Sequence, residues 1–195
     1  MPELLVDLIS SLDGYGAAEG WPGWWGLQGP EYLAWLAGQP EGDYTVLMGA
    51  TTYRLMAAFA AGGEPGTEAL ANMRKLVFSS TLREPLAWAN SELVRDEAVA
   101  AVEAMKASGA RSMHTIGSLS LCRSLVSAGV VDRFRVVVFP VITGSTGRDP
   151  IYEGYPDVAL EMTSSRLFDG RIQLLEYVPT PLAGPPAAAT EAAPV

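Results

Sequence analysis

The chain has 195 residues, 49% of them hydrophobic and 18% charged, and 22 Asp and Glu against 13 Lys and Arg leave a formal net charge of -9. That length suits one domain with a sizeable core, and the acidic balance excludes a generic nucleic-acid or anionic-membrane surface, both of which need a basic face. Cys122 and His114 are the only cysteine and the only histidine, which excludes an internal disulfide and any Cys-rich or multi-His metal centre within one chain.

The first residues lack a basic segment followed by a long apolar core, and no apolar run approaches bilayer length, so a cytoplasmic protein without a membrane span is expected. ELLVDLISS at 3–11 predicts a central strand. It runs into the turn-prone Leu12-Asp13-Gly14-Tyr15-Gly16 and a Gly- and Pro-containing loop with Trp21, Trp24 and Trp25. Aromatic rings on such a loop either form a lid over a flat ligand or anchor the loop to the core. Gly29-Pro30 opens a helix over 31–36, stopped by Gly38 and Pro40. YTVLM at 44–48 predicts a buried strand ending at Gly49, after which Thr51 or Thr52 caps a helix with Leu55, Met56 and Phe59 on its apolar side. Residues 60–72 read as a mobile connection with a short helix.

RKLVFS at 74–79 predicts the next strand, ending in the hydroxyl run Ser79-Ser80-Thr81, which can receive a phosphate or simply cap a turn. A short strand within 88–94 follows. Asp96 is placed to cap a helix with Val99, Val102 and Met105 inward and Gly109 at its end. The stretch from 112 to 147 organises the chain: a strand to Ile116, a Gly117 turn, a helix capped by Ser118 with Leu119, Cys122, Leu125 and Val126 on one face, a Gly129 stop, and a buried strand over 135–142. Both this unit and the one at Gly49 would present a turn and a helix N-terminus at one sheet edge, where N–H groups can hold a phosphate. Cys122, on an apolar helix face, and His114, in a buried strand, read as core residues. A flexible loop spans 143–147. Strands over 158–168 and 171–178 are joined by Asp169-Gly170, a two-residue hairpin signal. The Pro- and Ala-rich stretch 179–195 cannot build a core, so the domain is expected to span 1–178.

In order, SLDGYGA at 11–17, VLMGATTY at 46–53, KLVFSSTL at 75–82, WANSEL at 88–93, TIGSLSL at 115–121, AGVVDRFRVVVFPVITGSTG at 128–147 and SRLFDGRIQLLEY at 165–177 resemble the dihydrofolate-reductase-like superfamily. The nearer branch is that of the reductase domain of the bacterial riboflavin-biosynthesis deaminase-reductase. The resemblance implies an α/β fold with a mixed, mostly parallel sheet flanked by helices and ending in an antiparallel hairpin. It also implies an NAD(P)H-dependent reductase of a small heterocycle or carbonyl compound, with NADPH across the strand ends and NADH left open. On that basis Gly49, Ala50, Thr51 and Thr52 line the pyrophosphate side, and Ser79, Ser80 and Thr81 lie near the adenosine 2′-phosphate. Gly117, Ser118, Leu119 and Ser120 form the phosphate turn. Asp13, on the first loop, is either the acidic group near the nicotinamide end or a residue that caps its own turn, and Tyr32, Leu36 and Met56 are implied on the substrate side.

Three positions depart from the resembled pattern. Ala50 stands where many relatives carry an Arg that grips the phosphate. Tyr32 takes the place of the acid that recognises a pterin, with Glu31 just before it. The turn GSLS is less glycine-rich than its counterparts. These departures keep a second reading open, a non-catalytic or accessory nucleotide-binding protein on the same scaffold. A homodimer is expected through the strand over 133–142 and the terminal hairpin. No metal site is expected.

Overall fold

Six parallel strands make up most of the main sheet, the longer ones carrying apolar residues on both faces and covered on both. The computed structural model describes residues 1–21, 23–39, 44–64 and 67–186. The strands are β1 (Leu4–Ser11), β2 (Tyr15–Ala18), β3 (Tyr44–Gly49), β4 (Arg74–Phe78), β5 (Ser91–Val94), β6 (Ser112–Thr115), β7 (Arg133–Phe139), β8 (Gly147–Pro150), β9 (Val158–Phe168) and β10 (Ile172–Pro181). The helices are α1 (Pro30–Ala37), α2 (Ala50–Ala61), α3 (Thr67–Asn72), α4 (Ala98–Ala107) and α5 (Leu119–Ser127). The main sheet has the order β5-β4-β3-β6-β1-β7-β10-β9. Its first six strands are parallel, and β10 and β9 close it antiparallel. This is the mixed, mostly parallel α/β sheet expected.

Alternation along each strand divides the core. Leu4, Val6 and Leu8 of β1 and Leu47 of β3 pack beneath α4 and α5 against Val102, Cys122 and Leu125. On the opposite face, Val137 and Phe139 of β7 and Leu174 of β10 meet Tyr32 of α1. Further along that face, Val46, Met48 and Val77 meet Tyr53 of α2, together with Trp88 and Met73. Lys75, fully buried on β4, donates to the carbonyls of Leu70, Ala71 and Met73 and so closes the end of α3.

Several boundaries differ from the sequence expectation. The cap of α2 is Gly49, in extended conformation, and the two threonines fall within the first turn. The buried side of α2 carries Tyr53, Met56, Ala57 and Ala60, while Leu55 and Phe59 are exposed. Tyr53 sets the facing, because its hydroxyl accepts the Trp88 backbone N–H at 3.0 Å. The cap of α4 is Glu97 rather than Asp96. The short strand expected within 88–94 is β5, which starts at Ser91 after Trp88 has turned into the core. Within the expected first loop, β2 pairs with β8 as a separate two-stranded sheet. The expected loop at 143–147 is a 3₁₀ turn over Gly144–Thr146 running into β8. Strand β10 continues to Pro181, beyond the expected end of the domain at 178. Pro40 and residues 187–195 of the Pro/Ala-rich stretch lie outside the described residues.

Candidate functional site

Gly49, the last residue of β3, and Gly117, just past β6, stand at the same end of adjacent strands, and each leads into a helix. The two units are latched together. The Gly49 N–H donates to Ser118 Oγ at 2.8 Å, and that hydroxyl donates to Thr52 Oγ1 at 2.8 Å. Glycine suits position 117 because its φ is +53°, in the left-handed region, while a Cβ there would meet Thr52 Oγ1 only at an ordinary contact of 3.4 Å. Ser118 adopts a left-handed φ of +65°, an uncommon conformation for a residue with a side chain, held here by the latch. The first N–H groups of α2 and α5 have no partner within their helices, and both positive helix ends face the same region.

Between them lies a cleft of about 390 Å³. Gly49, Ala50 and Thr51 form one wall, Phe78, Ser79, Ser80 and Thr81 the second, and Ser120, Leu121 and Ser124 of α5 the third. Six of these ten residues carry hydroxyls and none carries a charge. The second wall is stiffened from within, because Ser79 Oγ accepts the N–H groups of Thr81 and Leu82 at 3.1 and 3.0 Å. Arg95 braces it by donating to the carbonyls of Ser79 and Leu82 at 3.0 and 2.6 Å. The structure thus brings Gly49, Ala50, Thr51, Ser79, Ser80, Thr81 and Ser120 around one space, with Thr52, Gly117 and Ser118 in the latch behind it. Leu119 differs: it is partly buried and packs on the core beneath α5.

Asp13 lies elsewhere. Its carboxylate accepts the N–H groups of Thr143 and Gly144 at 3.1 and 2.9 Å and ties the first loop to the turn after β7. Hydrogen bonds from the Ser11 hydroxyl and those amides lower its pKa from 3.8 to about 2. It is therefore ionised at neutral pH, and the geometry makes it a clamp rather than a proton donor. Tyr32, Leu36 and Met56 do not converge. Tyr32 is sealed, 2% exposed, among Trp24, Trp35, Phe139 and Phe168. Leu36 is on the surface, and Met56 belongs to the separate cluster around Tyr53 and Trp88. Glu31 is engaged at the protein surface, where it accepts the Asp169 N–H at 2.7 Å. Of the tryptophans, Trp24 and Trp25 pack on Tyr32 and Phe139, which makes them anchors of the loop.

Between the two clusters on the α1–α2 face runs a row of charged groups that sequence reasoning missed. His114 Nε2 meets Asp7 Oδ2 at 3.0 Å, and Arg135 Nη1 reaches the same oxygen at 3.4 Å. Arg135 also donates to Glu176 Oε1 at 2.8 Å, and Arg133 donates to that oxygen at 2.7 Å. His114 is thus half-buried and paired, not a plain core residue. The arginine at 135 is almost wholly buried, with Trp35 of α1 over its guanidinium at 5.1 Å. In register, Asp7, Arg135 and Glu176 are direct cross-strand neighbours. The available signal was charge inside predicted central strands, which is costly unless paired. Cys122 is fully buried, its thiol pushed up to about 12 by burial, as befits the core position expected. No group of ligand side chains able to hold a metal occurs among the described residues.

No curated protein sequence matches the chain. Among solved structures, it resembles a Shewanella sp. PV-4 protein provisionally assigned to riboflavin biosynthesis, at TM-score 0.72 and 19% identity over 91% of this chain and 99% of that one. A pyrimidine reductase-like protein of Corynebacterium diphtheriae aligns at TM-score 0.61 and 16% identity, over 92% of each chain. The Thermotoga maritima diaminohydroxyphosphoribosylaminopyrimidine deaminase/5-amino-6-(5-phosphoribosylamino)uracil reductase aligns at TM-score 0.62 and 16% identity, over 92% of this chain and 57% of that one. At such identities these likenesses establish the fold. The sequence itself matches the RibD C-terminal domain family over residues 2–174, nearly the whole ordered sheet, and the chain belongs to that family.

Proposed function

We propose that the protein is an NADPH-dependent reductase of a small heterocyclic or carbonyl substrate, related to 5-amino-6-(5-phosphoribosylamino)uracil reductase. The observation that carries this reading is the convergence of two helix N-termini, the strand-end Gly49 and six hydroxyls on one cleft, with Gly117 in the turn behind it. That donor set suits the phosphates of a dinucleotide: glycine permits close approach, hydroxyls donate to phosphate oxygens, and helix ends favour negative charge. When bound, the nicotinamide would supply the hydride. The first turns of α2 and α5 would fix its phosphates, while the Ser118–Thr52 latch holds the two turns at a constant distance. The hydroxyl wall at 79–81 would receive the adenosine end. The half-open Asp7–His114 pair offers the substrate polar contacts on the α1–α2 face. A cytoplasmic homodimer, with no nucleic-acid or membrane partner, completes the reading; no helix among the described residues is long and apolar enough to cross a membrane.

The non-catalytic alternative is favoured by a specific feature. The Gly49 N–H is already used by Ser118, and Ala50 adds no cation beside it. Calorimetry and thermal shift with NADPH test the binding step: binding should raise the melting temperature by mass action. No heat and no shift at millimolar NADPH would remove the reductase reading. Binding without hydride transfer to any of a panel of pyrimidine and carbonyl compounds would leave the alternative.

A further inference from the structure

We propose that Arg54 is the residue that selects the phosphorylated dinucleotide, supplying the cationic grip on the adenosine 2′-phosphate; this rests on the reductase reading above and adds a residue to it. The walls of the cleft carry hydroxyls but no charge, so a dianionic phosphate there needs a cation from the rim. Residue 50, where a cation would lie on the first turn of α2, is Ala. Arg54 follows it by four residues, one helical turn, and therefore projects from the same side of α2. Its Nη2 stands 3.5 Å from Thr81 Oγ1, on the hydroxyl wall opposite. The side chain is exposed and makes no ion pair with a described residue, so its remaining N–H groups are open to a ligand. Arg95, also at this wall, is committed to two backbone carbonyls behind it. A guanidinium beside Ser80 and Thr81 makes a phosphate site of charge-assisted bonds, whereas NADH offers only a ribose hydroxyl at that point.

The test is the pair of dissociation constants for NADPH and NADH, measured by tryptophan fluorescence on the full chain and on Arg54→Met and Arg54→Lys. Arg54→Met should weaken NADPH by about tenfold or more, the worth of a lost charge-assisted bond. NADH should stay within about twofold on the same grounds. Arg54→Lys should recover part of the loss, and adenosine 2′,5′-bisphosphate should follow NADPH while 5′-AMP follows NADH. Equal weakening of both dinucleotides, or no change in their ratio, overturns the role of Arg54 while leaving the reductase reading in place. Failure of the unaltered protein to bind either dinucleotide overturns both. Because Arg54 is exposed, circular dichroism should report an unchanged fold.

Discussion

Asp13, Glu176 and Ala50 show three different uses of a single side chain. The Asp13 carboxylate holds Thr143 and Gly144, and its pKa is lowered from 3.8 to about 2. A depressed carboxylate stabilises the fold above its ordinary pKa and loses that effect as pH falls through the folded value. Amide protection at Thr143 and Gly144 should therefore be constant above pH 3.8 and fall toward pH 2, and Asp13→Asn should lower it already at neutral pH. Protection that persists unchanged to pH 2 would show that the clamp is not what holds the turn. Glu176 balances two arginines, one of them almost wholly buried. Glu176→Gln leaves Arg135 with only the longer contact to Asp7, and a loss of about 3 kcal/mol in urea unfolding is expected. A loss below about 1 kcal/mol would mean that the row behaves as a surface pair. At the cleft, Ala50→Arg places a cation on the first turn of α2 and should tighten NADPH by about tenfold. Unchanged affinity in the folded variant would detach position 50 from the phosphates.

At the scale of elements, α1 depends on a residue far along the chain. Its cap position is Gly29, which has no side chain to offer, and Asp169 of the β9–β10 turn accepts the N–H groups of Glu31 and Tyr32 at 3.0 and 3.1 Å instead. Glu31 returns a bond to the Asp169 N–H, so the helix start and the hairpin turn cap each other. A Cβ on Gly29 would lie 2.2 Å from Asp169 Cγ, which makes glycine a requirement of the approach. Asp169→Ala should cost about 1–2 kcal/mol, the usual worth of a helix cap. Gly29→Ala should cost at least as much, because it expels the same carboxylate. If Gly29→Ala is neutral in thermal unfolding, the cap does not hold α1 to the hairpin.

For the whole molecule, the surface that bears on assembly is β9. Leu160, Met162 and Leu167 are 46%, 55% and 55% exposed. Their partners on β10 are Pro179, Tyr177 and Gln173, alternate residues of a regular strand, so the three stand on one face. A bulge in β9 opposite Glu176 and Tyr177 is what brings Leu167 into line with the other two. An apolar stripe on a long edge strand invites pairing. A second copy across this face would bury on the order of 1,200–2,000 Å² and survive micromolar dilution. Light scattering should then give twice the chain mass of 20.7 kDa, and Met162→Glu should return it to one. A single-chain mass for the unaltered protein would reject the dimer.

The sequence by itself determined the elements whose signals are local. Gly129, Asp169-Gly170 and the buried run of β3 are set by backbone freedom and by apolar residues on both sides of a strand, and they lie where expected; the run expected over 135–142 forms β7 earlier, at Arg133–Phe139, and leaves Ile142 exposed. The paired strand–glycine–helix units at Gly49 and Gly117 were legible for the same reason. Tertiary structure decided whatever depends on a distant partner. The pairing of β2 with β8, the cap of α1 by Asp169 and the closing of Tyr32 inside an aromatic cluster each join residues more than 100 positions apart. The row from His114 to Glu176 is of this kind as well: each charge reads as an anomaly in its own strand, and only the register of β6, β1, β7 and β10 sets opposite charges side by side. Local propensity is a property of neighbouring residues along the chain, whereas charge pairing and side-chain burial are properties of neighbours in space.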